Sequence, residues 1–258
     1  MSAALHVDNV SIAFGGLKAV SDFSLTLREG TLHGLIGPNG AGKTTVFNLL
    51  TGVYQADHGT ISLGSQRMNG LKPNQIARAG MVRTFQNIRL FGDLTVLDNV
   101  RIACWSRTTT NTLAALFRTP AHMAEEAAIA ERARELLDIF DLLPREREQA
   151  KNLPYGAQRR LEIARALAMD PKVLLLDEPA AGMNPQEKIA LRGLIRKVRE
   201  QFGLSVLLIE HDMGLVMDIC ERITVLDHGE VIADGEPSAV QRNPKVIEAY
   251  LGAPNEED

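Results

Sequence analysis

The sequence predicts an α/β fold. A mostly parallel sheet with helices on both faces forms the core, joined to an N-terminal antiparallel β subdomain and interrupted by an α-helical insertion. Three observations predict it. A glycine-rich turn, Gly37-Pro38-Asn39-Gly40-Ala41-Gly42-Lys43-Thr44, joins a short apolar segment at 31–36 to a helix start at 45–50. A second run, Val173-Leu174-Leu175-Leu176, is apolar without alternation, as expected of a parallel strand covered on both faces. Between them, from Leu94 to about Leu143, helical signals dominate.

The elements follow in order. Leu5 and Val7, then Phe23, Leu25 and Leu27, alternate with polar residues as half-buried strands do. Gly15-Gly16 and Glu29-Gly30 are the turns between them. After the glycine turn and its helix, residues 57–70 are rich in glycine and polar groups, with a short strand expected at 60–63. Residues 121–142 read as a helix that places Ala133, Leu136, Leu137 and Phe140 on one face. A second helical stretch covers 153–169, with Pro154 in its first turn, where proline is tolerated. The α/β pattern then resumes. It has a strand at 173–176, a helix at 185–202 with Leu191, Leu194, Ile195 and Val198 inward, and a strand at 204–209. A hairpin of 223–226 and 230–233 turns at His228-Gly229. The tail, Asn255-Glu256-Glu257-Asp258, is expected to be disordered. One domain therefore holds two subdomains: an α/β core from 1–87 and 170–258, and a helical subdomain at 88–169.

Composition narrows the function classes. At 258 residues and 45% hydrophobic, the chain can bury a sizeable core. Thirty-two acids against 28 bases give a net charge of −4, with no basic run, which argues against a nucleic-acid partner. Cys104 and Cys220 stand far apart without metal-ligand spacing and read as reduced, buried thiols of a cytosolic protein. The first eight residues lack a basic segment followed by an apolar one, so no signal peptide is expected. No uncharged apolar run approaches the about 20 residues that span a bilayer. A membrane role would need partners that carry the spans.

The chemistry is concentrated at the glycine turn. Its spacing, G-x-x-x-x-G-K-T, is a P-loop. Glycines let the backbone wrap closely around phosphate, and the following helix adds inward N–H groups and partial positive charge. Lys43 is expected to reach the β- and γ-phosphates and the Thr44 hydroxyl to ligate Mg²⁺. Thr45 continues the ATP-binding set into the helix. Asp177-Glu178 closes the second apolar run, at the strand edge where ligands bind in parallel sheets. Asp177 is the expected Mg²⁺ partner facing Thr44, and Glu178 is placed to polarise an attacking water. His211, in Ile209-Glu210-His211-Asp212, follows the next strand and faces the same edge, where it can bond the γ-phosphate and orient that water. Gln86, in Arg83-Thr84-Phe85-Gln86-Asn87, leads into the helical block and can complete the Mg²⁺ shell.

With these residues in this order, the chain resembles the ATP-binding subunits of ABC transporters over about residues 5–252. The resemblance implies that Phe14 stacks on adenine. It makes Leu153-Pro154-Tyr155-Gly156-Ala157-Gln158 the signature segment that meets the ATP of an opposite subunit. The family pattern there is Leu-Ser-Gly-Gly-Gln. Pro154 stands for the serine and Tyr155 for the first glycine, while Gly156 keeps its glycine. The contact must then rest on backbone N–H groups at a helix start.

Three stretches point within the family: 83–91, 153–165 and 178–185. With the ending Asn243-Pro244-Lys245-Val246-Ile247-Glu248-Ala249-Tyr250-Leu251-Gly252, they are similar to the larger ATP-binding protein of branched-chain amino acid importers. That group also includes importers of other small amino acids, amides or urea. The resemblance implies ATP and Mg²⁺ as cofactors. Glu178, His211 and Gln86 would be catalytic, and Thr44, Gln86 and Asp177 would hold the metal. It further implies a second ATP-binding subunit, identical or a sister, integral membrane permease subunits and a periplasmic binding protein. The place of action is the cytoplasmic face of the inner membrane. The block 88–143 is expected to dock a short helix of a membrane subunit near 91–96, or else to act as a lid. Rival readings are the ATPase of another membrane ABC system, such as lipopolysaccharide export, and a soluble ABC ATPase acting on nucleic acid or ribosomes. The fused cassettes or coiled-coil insertion of that soluble group are absent. A kinase acceptor site and the guanine-reading Asn-Lys-x-Asp of a GTPase are absent too.

Overall fold

Alternation at the start of the chain produces a hairpin. β1 (Ala3–Phe14) pairs antiparallel with β2 (Leu17–Arg28). They turn through Gly15 and Gly16, both at positive φ, which suits a two-residue hairpin turn. β4 (His58–Leu63) and β5 (Gln66–Arg67) complete a four-stranded antiparallel sheet in the order β2-β1-β4-β5. The chain is described by a computed structural model over residues 3–105 and 119–251. The tail expected to be disordered and residues 106–118 of the expected helical block lie outside the described residues.

The unalternating apolar runs build the second sheet. β3 (Leu32–Ile36), β7 (Val173–Asp177) and β8 (Ser205–Ile209) are buried at every position. With β6 (Met81–Arg83), β9 (Arg222–Asp227) and β10 (Glu230–Gly235) they run in the order β10-β9-β3-β8-β7-β6. All neighbours are parallel except the β9–β10 hairpin. Its turn, His228-Gly229, has both residues at positive φ. α1 (Lys43–Leu50) follows β3. Phe47 of α1 joins Leu5, Phe23, Leu35, Leu175 and Ile209 in one contiguous apolar core.

Packing divides the chain into two units, one up to Arg83 and again from Lys172 onward, the other Thr84–Pro171. The first also contains α2 (Pro73–Ala79), and the second contains α3 (Val96–Cys104), α4 (Pro120–Ile139) and α5 (Tyr155–Leu167). Ala133, Leu136, Leu137 and Phe140 are buried, as the expected apolar face requires. Several bounds differ from expectation by a few residues, and two of them have a local cause. α4 ends at Ile139, because Phe140 leaves helical geometry and Asp141 takes φ +55°. α5 starts at Tyr155, and Pro154 is its extended N-cap rather than part of its first turn.

Returning to the first unit, α6 (Pro185–Phe202) has the expected bounds. Asn184 and Glu187 form a reciprocal capping box, and Gly203 closes the helix at φ +61°. α7 (Met213–Ile219), α8 (Pro237–Gln241) and α9 (Pro244–Leu251) complete the chain. Cys104 and Cys220 are free and buried.

Candidate functional site

The P-loop bridges β3 and α1 as its residue types require. A Cβ at Gly37 would lie 1.9 Å from the Leu226 carbonyl oxygen, and one at Gly42 would lie 2.7 Å from that of Ala19. No side chain fits at either position. Gly42 is the N-cap of α1 and no side chain caps the helix. The first intrahelical bond runs from the Val46 N–H to the Gly42 carbonyl. The amides before it, including those of Thr44 and Thr45, have no helix carbonyl to bond and form an anion-binding end. Lys43 is buried, and its ammonium donates to the carbonyls of Gly37 (2.6 Å) and Pro38 (2.7 Å). Burial pushes the Lys43 ammonium below its ordinary value, opposed by the charges of Glu178 and Asp177. The hairpin turn supports the loop, since the Gly229 N–H donates to the Ala41 carbonyl at 2.9 Å.

The acidic end of β7 lies beside the end of β8, where Asp177 pairs in register with Ile209. The buried Asp177 carboxylate accepts from Arg83 at 2.5 Å, and Arg83 also donates to the Asn48 side chain at 2.7 Å. Glu178 takes φ +47°, a conformation that costs a non-glycine residue about 1–3 kcal/mol and clusters at functional sites. Its Oε1 lies 2.5 Å from His211 Nε2. A carboxylate only accepts, so Nε2 carries the proton in this pair. The expected acid and histidine are thus in direct contact.

Phe14 is 44% exposed, and its ring meets Tyr54 edge-on at 5.1 Å between centroids. A flat apolar surface of this kind suits a base. Among the described residues no group of three or more His, Cys, Asp or Glu forms a metal cage. Magnesium that travels with a triphosphate needs only one or two carboxylates beside phosphate and water. An exposed Thr44 and the acid pair Asp177-Glu178 fit that requirement.

Glu210 is a buried acid beside the site to which the sequence assigned no role. It is buried, and its two oxygens accept from the amides of Ala180 (2.7 Å), His211 (3.0 Å) and Asp212 (3.4 Å). Burial pushes its carboxyl up, opposed by those three amides. It therefore ties the turn after Glu178 to the turn that carries His211. Its place beside His211 at the end of a buried strand was the available signal. Burial also pushes the Tyr250 phenol of α9 up, opposed by a hydrogen bond from the Gly37 backbone.

Gln86 and the signature segment belong to the helical unit. Gln86 is exposed, and its backbone carbonyl accepts from Arg159 at 2.6 Å. Leu153, Gly156 and Ala157 are buried, Pro154 and Tyr155 are exposed, and the Gln158 amide folds back onto the Leu153 carbonyl at 2.9 Å. No side chain caps α5, so its first amides also form an open helix end.

The family model described as ABC transporter matches residues 20–181. The model described as Branched-chain amino acid ATP-binding cassette transporter matches residues 230–254. The high-affinity branched-chain amino acid transport ATP-binding protein LivG of Salmonella typhimurium is 48% identical over 96% of this chain and 97% of its own. Protein BraF of Pseudomonas aeruginosa, with the same description, is also 48% identical over the same shares. Among solved structures, the ADP conformation of MJ1267, an ATP-binding cassette of an ABC transporter, superimposes with a TM-score of 0.85 at 30% identity. It covers 98% of this chain and 100% of that one.

Proposed function

The chain belongs to the ABC transporter family, and from that premise we propose that it is the ATP-hydrolysing subunit of an importer of branched-chain amino acids or related small amino acids and amides. The direct contact of Glu178 with His211 carries the ATPase reading. The match of 230–254 to the branched-chain amino acid model supports the import reading over lipopolysaccharide export.

The residues divide the work as follows. The amides of 37–45 and the Lys43 ammonium hold the phosphates, with Lys43 exchanging the carbonyls of Gly37 and Pro38 for phosphate oxygens. Phe14 offers its ring to adenine. Thr44, Asp177 and Gln86 would hold magnesium, which when bound supplies a counter-charge to the triphosphate. Arg83 fixes the Asp177 carboxylate in place. Glu178 accepts a proton from the attacking water, and His211, hydrogen-bonded to it, holds that carboxylate in place.

One chain contributes one P-loop and one signature segment, so a complete site takes two chains head to tail. The partner is a second copy or a sister ATPase. With Pro154 in the serine position, the amides at the start of α5 reach for the opposite γ-phosphate. No helix among the described residues is long and apolar enough to cross a membrane. Permease subunits would carry the spans and a periplasmic binding protein would deliver the solute, with this chain on the cytoplasmic face. Phe91 and Leu94, both exposed, are the proposed contact for a helix of the permease.

The test uses the assembled complex in vesicles. Glu178→Gln should bind ATP normally and lose hydrolysis by at least about 100-fold, the scale of a lost general base. Uptake of labelled leucine, isoleucine or valine should stop with it. Hydrolysis at the wild-type rate would remove Glu178 from its role. Wild-type complex that hydrolyses ATP but takes up none of these solutes would overturn the import reading alone.

A further inference from the structure

Helix α5 does more than present the signature segment. One turn in, it carries Arg159, and three residues later Glu162, with side-chain exposures of 0% and 1%. Arg159 Nη1 donates to the Phe85 carbonyl at 2.6 Å and to Glu162 at 3.0 Å. Arg159 Nη2 donates to the Gln86 carbonyl at 2.6 Å and to the Tyr155 hydroxyl at 3.1 Å. Glu162 Oε1 in turn accepts from the amides of Arg89 (3.3 Å) and Phe85 (3.5 Å). The segment 85–89 is thus held by its carbonyls on one side chain and by its amides on the other. Arg89 closes the outside, its guanidinium 4.0 Å above the Phe85 ring.

Two fully buried charges cost desolvation that an apolar pair of similar volume would avoid. Packing alone does not call for them. Arg159 Nε is buried with no hydrogen-bond partner, while both Nη groups serve the loop. The pair therefore matches the backbone of 85–89 rather than the general needs of a helix interface. Burial pushes the Glu162 carboxyl up, opposed by Arg159 and by the two loop amides. The fourth contact of the fork is Tyr155, which stands where the ABC pattern has glycine.

We propose that Arg159 and Glu162 are positioning residues that fasten the glutamine segment to the signature end of α5, so that Gln86 and Tyr155 move as one piece. This rests on the proposed ATPase reading and deepens it. A change felt at Gln86 is passed through its carbonyl to the Arg159 fork and on to the Tyr155 hydroxyl, without passing through the P-loop. Turnover should depend on the fork, and the affinity of the P-loop for ATP should not.

The experiment is a double-mutant cycle in the complete membrane complex. Arg159→Lys keeps the buried charge and loses the fork. It should lower kcat about tenfold, the factor that 1.4 kcal/mol of transition-state stabilisation represents. KM for ATP should change by less than about twofold, because the cradle is untouched. In a Gln86→Ala background the same substitution should have no further effect on kcat, since the group it positions is gone. Tyr155→Phe, at an exposed position, removes one hydroxyl. It keeps the question open to test if Arg159→Lys does not assemble. It should lower kcat by about threefold, and by nothing in the Gln86→Ala background. Equal losses in both backgrounds, or a rise in KM at constant kcat, would overturn the proposal. Glu178→Gln, assayed alongside, separates the two failures. If it is inactive while the cycle is additive, only the fork is wrong. If it stays active, the underlying ATPase reading is wrong.

Discussion

Glu210 and His33 set two predictions at the scale of single residues. Glu210 accepts from three amides on two turns. Glu210→Ala leaves those buried donors without their acceptor, and each such group costs about 1–3 kcal/mol. The variant should lose stability on that scale in urea and lose turnover as the turns around Glu178 and His211 relax. Unchanged stability would mean that water replaces the carboxylate. His33 is buried beside Thr224, with Nε2 2.8 Å from the threonine hydroxyl. Burial lowers its pKa from 6.5 to about 4, opposed by Asp234 and reinforced by Arg222. The folded state therefore holds His33 neutral, while the unfolded chain takes up a proton below pH 6.5. Stability from this site is full above pH 6.5 and declines as pH falls towards 4. The loss is about 3 kcal/mol at one pKa unit per 1.36 kcal/mol. His33→Leu should flatten the decline of the urea midpoint between pH 6.5 and 4; an unchanged slope would place the titration elsewhere.

At the scale of elements, α6 shows what local signals can specify. Proline at its first position, the Asn184–Glu187 box and Gly203 all lie within its own sequence, and its bounds were legible to the residue. Removing the cap with Asn184→Ala should cost about 1 kcal/mol, read as a lower melting temperature; no change would mean that packing alone fixes the start. The buried strands β3, β7 and β8 were equally legible as unbroken apolar runs. The helices α2, α7, α8 and α9 were not, since each has eight residues or fewer and spans too few turns for periodicity to stand out. α5 was placed two residues early because Leu153 and Pro154 are extended, a detail of φ and ψ that helical composition does not reveal. In the site, the P-loop was readable because its chemistry depends on spacing along the chain. Arg83 on Asp177, Glu210 on the two turns and Arg159 on Gln86 join segments 30 to 94 positions apart. Nothing local announces such pairs.

At the scale of the whole molecule, a complete ATP site and a transport path take partner subunits. Cysteines placed one at a time across 91–96 should crosslink to the permease within the complex. Crosslinks found only from other surfaces would move the docking site. Glu178→Gln, which retains ATP, should pair with a second ATPase subunit in the presence of Mg-ATP and separate when nucleotide is removed. A sedimentation profile that ignores nucleotide would contradict head-to-tail closure. The most direct measurement is the equilibrium binding of Mg-ATP to purified wild-type protein, Lys43→Ala and Glu178→Gln. Glu178→Gln should bind as tightly as wild type. Lys43→Ala should bind about 10- to 100-fold more weakly, the equivalent of one lost charged hydrogen bond. Equal affinity of Lys43→Ala and wild type would contradict the phosphate cradle on which every later step depends.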